Sequence, residues 1–267
     1  MMELYRNFAA PLSHDILFSL HSSILSGRTD LENIGSYRTH LEPMQVVSGP
    51  SYKRRVHFEA PASSNMEWEM TRFIEWFNNT APNGDTLLPA LTRASIAHLY
   101  FVCIHPFEDG NGRIARAIAI KALSQAIDHP MLLALSNIIQ DKKKAYYDAL
   151  DQNNKTLRID GWLSYFANTI LDAQTYTESL VDFLIYKTKM MDKLRNQINT
   201  RQEKALLRMF QEGPKGFTGG LSADNYMKIT DAPRATTTRD LQDLVHKGAL
   251  IRIGERKATR YHLSKTI

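Results

Sequence analysis

The sequence predicts a mainly α fold, interrupted by one β-hairpin and closed by a small helical tail ending in two strands. Three observations carry this. Apolar residues recur at three- and four-residue spacings through most of the first two-thirds of the chain. Strand-like runs are confined to MQVVSGPSYKRRVHFEAP and, near the end, LIRI and TRYHL. The composition changes after about Asn196, where the helical segments become short and the charge turns basic.

Ser13 is an N-cap candidate for a helix carrying Ile16, Leu17, Leu20 and Ile24 on one face, and Gly27 ends it. IGSYR, Ile34 to Arg38, lies in a polar stretch. Met44 to Val47 and Val56 to Phe58 read as strands joined by a turn containing Gly49 and Pro50. Asn65 to Asn78 is an amphipathic helix whose Met66, Trp68, Met70, Phe73, Ile74, Trp76 and Phe77 are assigned to the core. APNGD is a turn, Leu91 to Ile104 a buried helix and Gly112 to Ile127 another. Beyond DHP, helices are expected around Asp141 to Gln152 and from Gly161 to Asn199, the last connecting two domains. ALLRMF, Ser222 to Ile229, and Pro233 to Lys247 with Gly248 at C′ are three further helices. With LIRI, TRYHL and the basic tip GERKA they form a winged helix-turn-helix pattern. The domains are therefore set at 1–172, a connecting helix at 173–197, and 198–267.

The chain has 267 residues, 43% hydrophobic and 23% charged, an ordinary globular composition. Cys103 is the one cysteine, so no internal disulfide forms, and a cytoplasmic location is expected. ILFSLHSSIL is too broken by His21 and serines for a signal peptide, and no run reaches the ~20 apolar residues of a membrane span. From Ile198 onward there are 13 Lys+Arg against 7 Asp+Glu, and before it 20 against 21, so the net +5 comes from the tail. Arg234, Thr236, Thr237, Thr238 and Arg239 open the third tail helix, and Arg256, Lys257 and Arg260 lie in or beside the wing. Both groups are candidate DNA contacts.

Charge and glycine concentrate at HPFEDGNGRIAR, His105 to Arg116, between two predicted helices. His105 suits a general base because its ordinary pKa lies near neutrality. Asp109 is the single carboxylate with which Mg²⁺ is commonly held beside phosphates. Gly110, Asn111 and Gly112 let backbone N–H groups converge at a helix N-terminus, which favours an anion. Arg113 and Arg116 share the next helical face. These parts suit phosphate transfer to a nucleophile from elsewhere, since the loop has no Ser, Thr or Cys. No Walker-type phosphate loop is present.

HPFEDGNGRIAR resembles the Fic signature HxFx(D/E)GNGRxxR at every specified position, and the likeness extends from near the N-terminus to about Asp172. The resemblance implies transfer of AMP from ATP to a Ser, Thr or Tyr hydroxyl of a protein, with self-modification as one outcome. His105 would take the hydroxyl proton and Asp109 would hold Mg²⁺. Asn111 and the backbone of Gly110 and Gly112 would bind phosphate oxygens, Arg113 and Arg116 the outer phosphates, and Phe107 would anchor the loop. Tyr147 and Leu150, in YYDAL, would line the adenine pocket. The hairpin would be the flap that aligns the target, through Met44, Gln45, Val46 and Val47. Gly112, where kinase-like relatives carry Lys, favours AMP transfer; other nucleotide or phosphocholine donors stay open.

Many Fic enzymes carry an inhibitory (S/T)xxxE(G/N) helix whose glutamate pairs with the second motif arginine. Glu32–Asn33 follows Arg28, and Glu212–Gly213 follows Arg208, so neither string qualifies. An inhibitory segment is expected in a longer form, in an antitoxin-like partner, or nowhere; within this sequence Glu32 and Glu42 are the acids that could stand in. The alternative function is a non-enzymatic DNA-binding regulator that uses the Fic domain to sense a nucleotide or partner. No membrane partner is expected.

Overall fold

The structure, a computed structural model, describes residues 6–48, 55–154, 158–217 and 219–264. The turn expected at Gly49 and Pro50 lies outside them, as do the side chains of Val46, Val47 and Lys257. The chain divides into two compact units, Met1–Thr175 and Tyr176–Ile267.

In the first unit, α1 (His14–Ile24) starts where Ser13 Oγ accepts the Ile16 N–H. Strands β1 (Gln45–Ser48) and β2 (Arg55–Glu59) pair antiparallel, Val46 opposite Phe58, with a register irregularity between Val46 and Val47. Helix α2 (Met66–Asn79) buries Met66, Met70, Phe73, Ile74 and Phe77. Trp68 departs from expectation. It is 57% exposed, and Arg72 lies over its ring, 4.6 Å from the centroid. It sits off the stripe set by Met66, Met70 and Phe73, so the helix turns it outward. Trp76 is half-buried.

Helices α3 (Ala90–Ile104) and α4 (Asn111–Ile127) form the centre. Ala94 and Ala97 of α3, and Ala115, Ala119 and Ala122 of α4, are fully buried. Their small side chains let the two helices approach closely. The helix expected around Asp141 is two, α5 (Leu135–Asp141) and α6 (Lys143–Asn153), broken at Lys142. The first buries Leu135, Ile138 and Ile139 and the second Tyr146, Ala149 and Leu150. Helix α7 (Asp160–Leu194) begins in this unit, where Trp162 is fully buried and donates to the Ser95 carbonyl at 2.7 Å.

In the second unit α8 (Thr200–Phe210) opens on a capping box between Asn199 and Gln202. It is followed by α9 (Ala223–Thr230) and α10 (Arg234–His246). Gly248, at φ +71°, supplies the left-handed residue after α10. Strands β3 (Leu250–Ile253) and β4 (Arg260–Leu263) pair antiparallel. The core gathers Leu206, Met209, Phe210, Tyr226, Leu244 and Tyr261, and one carboxylate is buried in the same unit. That carboxylate, Asp240, accepts from Arg201, Asn199 and Tyr226. Arg234, Thr238 and Arg239 are exposed and Thr236 is half-buried on α10, whereas Thr237 is fully buried. Thr237 is therefore withdrawn from the expected contact face, because its position on the helix points it at the core.

His98, on α3, is fully buried, and among the described residues neither ring nitrogen has a hydrogen-bond partner. Trp162, Phe166 and Tyr146 enclose it, with ring centroids 5.4, 4.5 and 5.8 Å away. Burial first, then the Arg116 charge, pushes its pKa down from 6.5 to about 3. The folded ring stays neutral while the unfolded one protonates below 6.5. Its stability contribution is complete above the unfolded pKa and is lost as pH falls from there. One such group imposes ~1.4 kcal/mol per pH unit. His98→Leu should remove that share of the acid-side decline when unfolding is followed from neutral pH to about pH 5. An unchanged slope would mean that the folded ring takes the proton.

Candidate active site

The loop begins where α3 stops. His105 caps that helix in the left-handed region, φ 50° and ψ 57°, an uncommon conformation for a residue with a side chain. Its Nδ1 lies 3.2 Å from the Val102 carbonyl, which obliges that nitrogen to carry the proton and leaves Nε2 basic. Burial lowers its pKa; the Val102 contact and Asp109 oppose the shift, and Arg38 reinforces it. The ring is thus neutral at physiological pH.

Arg38, from the GSYR segment, is buried and fixes the chain around His105. Its Nε donates to the His105 carbonyl at 2.8 Å, and its own N–H donates to the Pro106 carbonyl at 2.9 Å. The rest of its guanidinium is held by Ser63 Oγ at 2.7 Å and the Pro61 carbonyl at 2.5 Å. Phe107 is fully buried, as expected, and stacks on His21 with centroids 4.0 Å apart. His21 accepts the Gly35 N–H on Nδ1 at 2.9 Å, so Nε2 is the protonated nitrogen that meets the Asp109 carbonyl at 3.2 Å. Burial lowers the His21 pKa, consistent with a neutral ring holding this one tautomer.

Asn111 corrects the sequence expectation. Its Oδ1 accepts the Phe107 N–H at 3.0 Å and its Nδ2 donates to the Phe107 carbonyl at 2.7 Å. The side chain is buried and committed to closing the loop, so only the Asn111 backbone N–H is offered to an anion. Gly110 enters α4 at φ +85°, which a Cβ would strain. Among the described residues the N–H groups of Asn111 and Gly112 have no partner, and they lie at the positive end of a 17-residue helix.

The side chains around this N-terminus are charged. Asp109 Oδ1 accepts the Gly110 N–H at 2.5 Å, and Oδ2 meets Arg28 Nη1 at 3.0 Å and Arg113 Nη2 at 3.4 Å. Burial raises its pKa, but the Gly110 N–H, Arg113 and Arg28 outweigh that and hold the carboxyl below its ordinary value. Arg116 donates to Ser136 Oγ at 2.9 Å, and its Nη1 would lie 3.5 Å from a Cβ at Gly112. Among the described residues no carboxylate forms an ion pair with Arg116. Glu32 instead docks through its backbone, its N–H donating to Glu108 Oε2 at 3.1 Å, beside Asn33 Nδ2 on Oε1 at 2.6 Å.

Tyr147 and Leu150 line a cavity of ≈ 30 Å³ with Phe58, Val102, Cys103, Asp151 and Asn154. Asn154 was missed by the sequence reading. Its buried Oδ1 has no partner among the described residues, and it shares a helical face with Tyr147 and Leu150, at i+7 and i+4 from them. Burial pushes the half-buried Cys103 thiol up to about 11.

No group of three or more His, Cys, Asp or Glu suited to a metal occurs among the described residues. Asp109 fits a cation shared with substrate phosphates: its carboxylate is ionised, 43% exposed, and already carries cationic partners.

Residues 11–123 match the model of the Fic/DOC family. A protein adenylyltransferase Fic from Drosophila grimshawi is 25% identical over 196 residues, which are 70% of this chain and 37% of that protein. The protein of the same name from Nematostella vectensis is 34% identical over 94 residues, 35% of this chain and 20% of that one. The chain thus spans well under half the length of these relatives. A Fic family protein from Desulfovibrio desulfuricans G20 shares the fold, with TM-score 0.54 at 19% identity over 99% of this chain and 73% of its own.

The Asn111 clasp generates a stability prediction. Asn111→Ala leaves the Phe107 N–H and carbonyl buried without partners, at about 1–3 kcal/mol each. Urea unfolding should show a midpoint lowered accordingly at constant m. A midpoint within error of wild type would mean that the loop closes without this amide.

Proposed function

We propose that residues 11–123, which match the Fic/DOC family model, work as a Fic domain, and that the chain transfers AMP from ATP to a Ser, Thr or Tyr hydroxyl of a target protein. The observation that carries this reading is His105, its Nδ1 committed to Val102 and its Nε2 left basic, in the loop that leads into the N-terminus of α4. Nε2 takes the proton of the target hydroxyl. The hydroxyl oxygen forms a bond to the α-phosphorus as the bond to pyrophosphate breaks. A positioned base of this kind contributes ~10²–10⁴-fold. The Asn111 and Gly112 N–H groups stabilise charge on the phosphate oxygens, each such donor supplying ~3–4 kcal/mol. Arg113 and Arg116 hold the outer phosphates. Asp109 is the residue that would hold Mg²⁺, whose charge offsets that of the phosphates.

Tyr147 and Leu150 supply apolar faces for adenine, and Asn154 Oδ1, without a partner among the described residues, an acceptor for its exocyclic amine; the cavity of ≈ 30 Å³ has to widen for the base to enter. The hairpin serves as the flap: among the described residues β1 pairs only with β2, which leaves its other edge for strand addition by a target. Arg116, free of a carboxylate among the described residues, is available to phosphate. An inhibitory segment or antitoxin-like partner would act by supplying one.

With α-labelled ATP, Mg²⁺ and lysate, His105→Ala should lose label transfer while keeping ATP affinity. Transfer at the wild-type rate would refute the base assignment. Because burial lowers the His105 pKa, wild-type transfer should hold as pH drops through 6.5 and fail only below it. Val46→Pro should reduce target labelling more than ATP binding.

A second reading concerns the tail. The three helices and two strands of residues 198–267, their surplus of basic side chains, and the exposed Arg234, Thr238 and Arg239 on α10 support a winged helix contacting duplex DNA. Replacing Arg234 and Arg239 by alanine should weaken duplex binding and lower its salt slope by roughly one per lost phosphate contact. Fluorescence anisotropy that does not change with both substitutions would exclude this face.

A further inference from the structure

Arg28 lies beyond the motif, in the segment that follows α1, yet it reaches the carboxylate on which the metal reading rests. Its Nη1 donates to Asp109 Oδ2 at 3.0 Å. Its other edge is held by Asp30, Nε on Oδ1 at 2.6 Å and Nη2 on Oδ2 at 2.7 Å. With Arg113 on Oδ2 and the Gly110 N–H on Oδ1, both oxygens of Asp109 have partners.

The chain that follows Arg28 has anchors besides this contact. The segment behind it is docked separately, by the Glu32 N–H and Asn33 Nδ2 on Glu108 and by the Gly35 N–H on His21. Asp30 remains bidentate on the guanidinium, so a displaced Arg28 keeps a counter-charge. A divalent cation held by Oδ2 would meet the charge of a guanidinium whose Nη1 is already 3.0 Å from that oxygen, and like charges repel. Mg²⁺ also demands short oxygen contacts, ~2.0–2.1 Å, that leave the carboxylate little room for a second cationic partner.

We propose that Arg28 is a built-in counter-ion for Asp109, which holds the carboxylate in place without metal and must yield before a divalent cation binds. Arg28 therefore sets the metal threshold of the site. This rests on Asp109 as the metal ligand, and the experiment separates the two claims.

The probe is Mn²⁺ alone, its free concentration read by electron paramagnetic resonance, without nucleotide or turnover. Arg28→Gln should bind Mn²⁺ more tightly than wild type, by about tenfold for removal of one nearby positive charge. Arg28→Lys, which keeps the charge, should stay near wild type. Asp109→Asn should abolish the site in either background; a site that survives it would refute the ligand assignment itself. A site that depends on Asp109 but is unchanged or weakened by Arg28→Gln would overturn the counter-ion role, as would equal tightening by Lys and Gln. Arg28 is exposed on the surface, and thermal unfolding checks that the variants keep the fold.

Discussion

The side-chain amide of Asn111 holds the main chain of Phe107 by both its N–H and its carbonyl, and everything at the candidate site follows from that closed loop. With the loop shut, Phe107 is driven into the core against His21, and His105 is held half-buried at the end of α3. Gly110 can then enter α4 from the left-handed region, and the first N–H groups of α4 are free of intrahelical duty. The clasp is short in sequence but needs outside support. Arg38 gives it by gripping the main chain of His105 and Pro106, while His21 meets the Asp109 carbonyl.

These supports explain why the site combines firm geometry with unsettled charge. Its histidines are neutral by burial, so they act as fixed donors and acceptors in one tautomer. The charged groups, Arg113, Arg28 and Asp109, lie toward solvent, each side chain between 42% and 44% exposed. Arg116 is better buried yet has only a hydroxyl as partner among the described residues. A cationic group that has lost water without gaining an anion is poised for one.

The sequence reading captured whatever is local. The motif loop, the Ser13 cap, the Gly248 terminus and the hairpin strands are each set by residues within a few positions of one another, where propensity and spacing speak directly. What it missed is carried by long-range contact. His21 and Arg28 meet the loop across 88 and 81 residues; His21 shares the buried face of α1 with Leu17 and Leu20, but nothing in the letters pairs either residue with Asp109. Asn111 looked like an anion ligand because its partner, a main-chain amide, has no signature in the letters. Trp68 and Thr237 were misplaced because a residue's type does not fix which side of a helix it occupies. Asn154 had a signal, its shared face with Tyr147 and Leu150, but a polar residue near a helix end reads as a cap until its oxygen is found unpaired.

Cys103 gives the cavity beside Tyr147 and Leu150 a chemical property of its own. It is the chain's sole thiol, half-buried in the last turn of α3, and burial pushes it up to about 11. At neutral pH it is almost wholly protonated and a poor nucleophile, so ordinary alkylating reagents meet a slow site. An electrophile that presents only a small group to its ≈ 30 Å³ gains from proximity what the thiol lacks in reactivity. With no second cysteine to compete, one covalent adduct per chain would mark that cavity and nothing else.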